Sequence, residues 1–187
     1  MVLPGDHLLP RADLSATRAV TVVAGADAVW PWIAQLGQGR AGFYSYDFLE
    51  NLVGCDIHSA DRIVPEWQNI EVGSEVNLFP GGGLRVALAD PGRALVLRGS
   101  VPIRHQPPYD FTWAFCLNDA PDARATRLVV RERYAYTSRW GPVLVEPVQL
   151  IGSVMSRQML RGIKERAERA GVAPAATARH EPAGAHV

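Results

Sequence analysis

Residues 109–136 read YDFTWAFCLNDAPDARATRLVVRERYAY, two alternating segments, 109–117 and 126–136, joined by a polar turn at 118–124. In the first segment large apolar residues alternate with smaller ones. In the second segment, one set of alternate residues is mostly apolar but contains Glu132, and the other set is rich in arginine. A period of two predicts β-strands. The stretch therefore predicts an antiparallel hairpin with one face on a core and the other in solvent, where it carries Arg127, Arg131 and Arg133.

Downstream of this hairpin the spacing becomes helical. Apolar side chains recur on one face, opposite arginine, lysine and glutamate: Val148, Ile151, Met155, Met159, Ile163 and Ala167. The pattern predicts a helix that opens at Glu146-Pro147, with proline in the first turn, and runs for about 24 residues or about 36 Å, enough to cross a sheet. Residues 172–187 are rich in alanine and polar residues and are predicted to be a disordered tail.

Upstream of the hairpin, residues 75–136 as a whole have strand character. Two further strands, residues 84–89 and 94–99, are predicted on either side of the turn signal Asp90-Pro-Gly92. The alternation leaves open whether Arg98 faces the core or solvent, and we favour solvent.

The N-terminal part of the chain has a different pattern. Residues 1–16 contain prolines and scattered charges and are expected to form an arm. Residues 18–24 are β-branched and predict a strand. Two short helices are predicted after it: residues 26–36, interrupted by a proline, and residues 45–53, which begin with a capping serine.

This order of elements predicts a single α+β domain over residues 17–171. A curved antiparallel sheet wraps around the long C-terminal helix, and the two short helices close one end. Space between sheet and helix would be an apolar pocket lined by Trp113, Phe115, Tyr134, Met155 and Met159. The alternative is that these side chains fill each other's space, and periodicity alone leaves both possibilities open.

Six short motifs occur along the chain: VWPWIAQLG (29–37), RAGFYSYDFLENL (40–52), SADRI (59–63), PEWQ (65–68), TRLVVR (126–131) and MLRGIK (159–164). In this order they resemble a bacterial branch of the SRPBCC superfamily, whose relatives include the START, Bet v 1 and polyketide cyclase groups. The resemblance covers about residues 18–170 and implies the helix-grip fold with a deep cavity. Members of the superfamily include lipid carriers, hormone receptors, aromatases and cyclases, so the resemblance leaves the chemistry open.

Polar side chains near the predicted pocket supply candidate ligand contacts. Glu132 lies in an apolar phase, where a carboxyl tends to hold its proton and could act as a general acid or base; it could instead pair with an arginine or a helix end. Near the second short helix, Tyr44 or Tyr46 could reach a ligand carbonyl at the cavity mouth, whereas Asp47 is expected to serve the helix N-terminus. The predicted ligand-binding set is Tyr44, Tyr46, Asn51, Trp113, Phe115, Glu132, Tyr134, Met155 and Met159, with Glu132 and Tyr46 as catalytic candidates.

The composition argues against several function classes. Nineteen basic residues balance 19 acidic ones, so no nucleic-acid partner is expected. The 5 histidines and 2 cysteines lack metal-ligand spacing and no phosphate-binding glycine loop occurs, so no metal or cofactor is expected. Residues 1–6 carry no basic region and no apolar run approaches the roughly 20 residues of a membrane span. We therefore expect a cytoplasmic protein without stable membrane insertion; its oligomeric state stays open.

Two functions fit such a pocket. The first is binding or carriage of a hydrophobic small molecule such as a lipid, polyketide or terpenoid. The second is a cofactor-independent cyclase or aromatase, in which the pocket folds a reactive polyketide and a polar residue moves a proton. A third, an interaction module with a vestigial pocket, is weaker. The scarcity of inward polar residues favours binding.

Overall fold

A computed structural model describes residues 1–52, 54–99 and 108–172. One antiparallel sheet in the order β1-β6-β5-β4-β3-β2 is formed by β1 (Leu14–Val22), β2 (Glu75–Phe79), β3 (Gly82–Asp90), β4 (Ala94–Gly99), β5 (Tyr109–Asp119) and β6 (Thr126–Tyr136). The helices are α1 (Ala26–Ala34), α2 (Asp47–Leu52) and α3 (Gly141–Val172). The predicted α+β helix-grip fold, a curved sheet around a long C-terminal helix, is confirmed.

The hairpin of β5 and β6 lies inside the sheet, between β1 and β4. Its register runs without interruption from Tyr109↔Tyr136 to Asp119↔Thr126 and places Trp113 opposite Glu132. The predicted bounds of β4 and β6 agree with the structure. β1 begins four residues before its predicted start at Arg18, because pairing with the far end of β6 recruits its first residues into the ladder.

Helix α3 begins at Gly141, five residues before its predicted start. The proline in its first turn is therefore Pro142, and Pro147 lies inside the helix. The C-terminal half follows the predicted stripe, since Met159, Ile163 and Ala167 are buried. In the N-terminal half the prediction was wrong for Ile151, which is 65% exposed. The side chain of Val148 lies outside the described residues, as do Val53 and residues 173–187 of the predicted tail.

The main core lies between the concave face of the sheet, α1 and the C-terminal half of α3, which packs against both α1 and β1. Leu95 and Leu97 belong to this core. Arg98 consequently lies on the outer face of the sheet, where it is exposed and pairs with Asp110 at 2.7 Å.

The outer face carries a second, smaller core under the N-terminal segment, in which Leu3 packs with Cys116 and Val129. Asp6 of this segment accepts a hydrogen bond from Arg131 Nη1 at 2.6 Å and lies 3.6 Å from Arg133 Nη1. Because residues 1–9 cover them, Arg131 and Arg133 are not the solvated surface predicted from the alternation. Arg127 is exposed as predicted.

Among the described helices, none combines the length and apolar character that crossing a membrane requires.

Candidate ligand-binding cavity

A cavity of about 310 Å³ lies between the concave face of the sheet and the N-terminal half of α3. Most of its wall is aromatic or aliphatic: Phe43, Leu78, Leu84, Tyr109, Phe111, Trp113, Tyr134, Met155 and Met159. The remaining lining residues are Ser45, Glu132, Gln149, Gly152 and Ser156. The helix therefore stands far enough from the sheet here to leave unfilled volume.

Two glycines of α3 mark where the helix packs closely and where it does not. An added Cβ at Gly162 would collide with the backbone carbonyl of Tyr44, so glycine lets the loop before α2 touch the helix there. At Gly152 an added Cβ would meet no heavy atom within 4 Å. Gly152 thus borders open space, and Gly162 anchors the helix to the core.

The aromatic wall is built on β5 and β6. The Trp113 ring lies 4.9 Å from Phe115 and 5.8 Å from Phe43, both in tilted arrangements. Tyr134 lies 4.6 Å from Phe111, also tilted. Phe115 was predicted to line the pocket but does not: it is fully buried behind Trp113 and supports that ring.

A polar cluster surrounds Glu132, which is 5% exposed. Its Oε1 accepts hydrogen bonds from Ser156 Oγ at 2.7 Å and Arg18 Nη1 at 3.4 Å, and its Oε2 accepts one from Gln149 Nε2 at 3.0 Å. Arg18 also donates to Ser153. Of the two roles expected for Glu132, its contacts correspond to pairing with an arginine.

Sequence reasoning missed Arg18, Gln149 and Ser156, although a signal for them existed. Arg18 shares its strand phase with the buried Val22, so its charge needs an inward partner. Gln149 and Ser156 lie seven positions apart, which places them on one face of a helix. Phe111 and Tyr109 were also missed, although both share the phase of Trp113.

Tyr134 combines burial with a neighbouring negative charge. Burial, reinforced by the charge of Glu132, raises the pKa of Tyr134 well above its ordinary value. Its hydroxyl therefore stays protonated and can donate a hydrogen bond in the cavity wall.

Tyr44 was predicted at the cavity mouth, but the structure places it in the core beside α1. Its hydroxyl accepts a hydrogen bond from Gln35 Nε2 at 2.8 Å, and its ring lies edge-on to Trp32. The guanidinium of Arg166 lies 4.8 Å from the ring centroid. Burial raises the pKa of this phenol. Tyr44 therefore holds the loop before α2 onto the helices and does not face the cavity.

Tyr46 and Asn51 also lie away from the cavity lining. Tyr46 is 40% exposed. The Asn51 side chain bonds both backbone polar groups of Ile57, donating to its carbonyl at 2.8 Å and accepting from its N–H at 2.5 Å. Asp47 accepts from the backbone and hydroxyl of Ser59 at 2.7 and 2.6 Å, in place of capping its helix. The side-chain amide of Asn51, which the sequence suggested for a ligand, is therefore used in a local loop contact.

Across residues 1–52, 54–99 and 108–172, no group of three or more histidine, cysteine, aspartate or glutamate side chains is arranged to hold a metal ion.

The sequence matches no protein-family model and no curated protein sequence. Several solved structures are similar in fold. A solution NMR structure from Thermobifida fusca aligns with a TM-score of 0.54 at 17% identity, covering 83% of this chain and 93% of that chain. A protein from Nitrosospira multiformis aligns with a TM-score of 0.50 at 13% identity, covering 81% of this chain and 94% of that chain. The crystal structure of Ara h 8.0201 aligns with a TM-score of 0.49 at 13% identity, covering 82% and 97%. At identities this low, the first two similarities show a shared fold and carry nothing about a ligand.

Proposed function

We propose that this chain, which has the helix-grip fold of the SRPBCC superfamily, binds a hydrophobic small molecule in the cavity between its sheet and α3. The observation that carries the proposal is a partly open cavity of about 310 Å³ with a largely apolar wall. Protein interiors are normally packed to crystal-like density, and ligand pockets occupy about 300–1,000 Å³. A space of this size supports a binding role better than a packing role.

The chemistry of the wall indicates what kind of molecule fits. Flat rings from Trp113 and Tyr134 and flexible thioethers from Met155 and Met159 suit an apolar body of variable shape. A ligand that buries about 250 Å² of apolar surface, comparable to a tryptophan side chain, gains about 6 kcal/mol before the costs of association. Lipid, polyketide and terpenoid skeletons have this character.

Cofactor-independent cyclisation, the alternative, needs a proton-moving group that faces the cavity. Of the two candidates, Tyr46 is absent from the cavity lining. Glu132 borders the cavity but accepts hydrogen bonds from Arg18, Gln149 and Ser156. The geometry therefore supports binding better than proton transfer.

Native mass spectrometry of protein purified without detergent or organic solvent tests the proposal. We expect an adduct with the mass of a small apolar molecule, or, if the protein is purified empty, saturable binding of the fluorescent probe N-phenyl-1-naphthylamine. Protein fully unfolded in urea, which has no cavity, is the control for non-specific probe uptake. A native protein that carries no adduct and does not bind the probe would refute the proposed function.

A further inference from the structure

We infer that the ligand carries a hydroxyl group, a neutral hydrogen-bond donor, and that Glu132 receives it. The inference rests on the proposed binding function and adds the chemical class of the ligand's polar end. Its basis is the position of one incompletely used carboxylate in a wall that is mostly apolar.

The first step concerns the acceptor capacity of Glu132. A carboxylate offers about four lone-pair sites on its two oxygens. Within the described part of the chain, Oε1 accepts from Ser156 and Arg18, and Oε2 accepts from Gln149 alone. Glu132 and Gln149 both line the cavity. Oε2 therefore retains room for one more donor, and the cavity is the side from which a donor can arrive.

The second step concerns charge. Arg18 Nη1 lies 3.4 Å from Glu132 Oε1, and both side chains are largely buried, at 14% and 7% exposure. The pair is neutral overall. An ammonium ligand would add an uncompensated charge to an apolar cavity, and an anionic ligand would face the carboxylate, and both are unfavourable. The donor that fits is therefore neutral.

The third step concerns a donor on the neighbouring strand. Trp113 lies directly opposite Glu132 in the β5–β6 register, which places their Cβ atoms about 5 Å apart. Its indole N–H is buried and has no hydrogen-bond partner among the described residues. A hydroxyl both donates and accepts through one oxygen, so it suits a wall that holds both a carboxylate acceptor and an unpaired indole donor. An ether or a hydrocarbon cannot donate to Glu132.

Calorimetric titration with 4-butylphenol and 4-butylanisole tests the inference, since the two probes share a ring and chain but only the phenol donates. A hydrogen bond to a buried charged acceptor predicts that the phenol binds the unmodified protein at least about tenfold more tightly. In Glu132→Gln the amide can donate to the ether oxygen, so we expect the ratio to fall below about threefold. If the anisole bound more weakly because of the size of its extra methyl group, the affinity ratio would stay the same in this variant.

Two further variants keep the test interpretable. Glu132→Gln leaves Arg18 without its counter-charge, so if it does not fold the ratio is measured in the double variant Arg18→Gln/Glu132→Gln. Met155→Leu changes an apolar lining residue and should alter both affinities equally, preserving the ratio. Equal binding of phenol and anisole to the unmodified protein, or a ratio that Glu132→Gln leaves unchanged, would overturn the hydroxyl inference while leaving the proposed function standing. Binding of neither probe by a protein that does bind N-phenyl-1-naphthylamine would also overturn the hydroxyl inference alone, whereas a protein that binds none of the three probes and carries no adduct would overturn both.

Discussion

Gly152 is the position at which the cavity can be filled without removing a native side chain. It lies on α3, lines the cavity, and an added Cβ there would meet no heavy atom within 4 Å. Gly152→Leu places four carbon atoms in the space that the ligand would occupy. We predict that this change weakens ligand binding and stabilises the folded protein at the same time.

The size of both effects follows from the cavity. If each carbon takes roughly the volume of one water, about 30 Å³, leucine removes about 120 Å³. That is more than a third of the about 310 Å³ present. A ligand that can no longer bury four methylene groups in the cavity loses up to about 3 kcal/mol of binding free energy, or about a hundredfold in affinity. Leucine is also a better helix former than glycine by about 0.8 kcal/mol, and its burial adds to this. The unfolding free energy should therefore rise by at least about 1 kcal/mol, and Tm by about 2–4 °C.

Fluorescence titration with N-phenyl-1-naphthylamine and differential scanning calorimetry measure the two effects. Val154→Leu is the matched control, because Val154 lies on the same helix and is 53% exposed. This control should change neither quantity. A folded Gly152→Leu protein with unaltered probe affinity, or one with a lowered Tm, would refute the reasoning.

Three further predictions concern groups outside the cavity. Tyr44→Phe removes the acceptor for the Gln35 amide and should lower the unfolding free energy by about 1 kcal/mol while leaving probe affinity unchanged; reduced probe affinity in a titration would contradict this placement. Asp6→Asn breaks two largely buried ion pairs with β6 and should cost about 1–2 kcal/mol in urea denaturation, whereas Asp90→Asn, at an exposed pair of 3.9 Å, should cost less than about 0.5 kcal/mol; equal losses would argue against the N-terminal cover. Burial raises the pKa of Cys116 to about 11, which favours the neutral thiol below that pH, so peptide mass spectrometry should show slow iodoacetamide labelling of Cys116 at pH 8 and fast labelling in urea; equal rates would contradict its burial.

Local sequence signals were sufficient for the central strands. β4 and β6 have clear alternation and are bounded by turns, and their bounds were predicted to the residue. The start of β1 was not predictable in this way. Residues 14–17 are strand because β6 lies beside them, more than a hundred positions away in the sequence. The role of residues 1–9 was not predictable for the same reason. They contact β6, which is also more than a hundred positions away, and shield Arg131 and Arg133 from solvent.

The candidate site was predictable on its apolar side and not on its polar side. Trp113, Tyr134, Met155 and Met159 were found from period and size, and they line the cavity. The periodicity of α3 suggested that its apolar stripe faces inward throughout. In the N-terminal half the inward face carries Gln149 and Ser156, which hydrogen-bond Glu132, beside Met155. Leu150, Ile151 and Val154 are exposed there. These contacts depend on where Glu132 and Arg18 lie in three dimensions, which the periodicity of α3 does not report.

The methionine methyl groups provide the most direct test of a ligand-accessible cavity. The chain has three methionines: Met155 and Met159 line the cavity, and Met1 is 84% exposed and serves as an internal control. In protein labelled with ¹³C at the methionine methyls, saturating N-phenyl-1-naphthylamine should shift the signals of Met155 and Met159 and leave that of Met1 in place. Unmoved Met155 and Met159 signals at a probe concentration that saturates the fluorescence would contradict a ligand site between the sheet and α3.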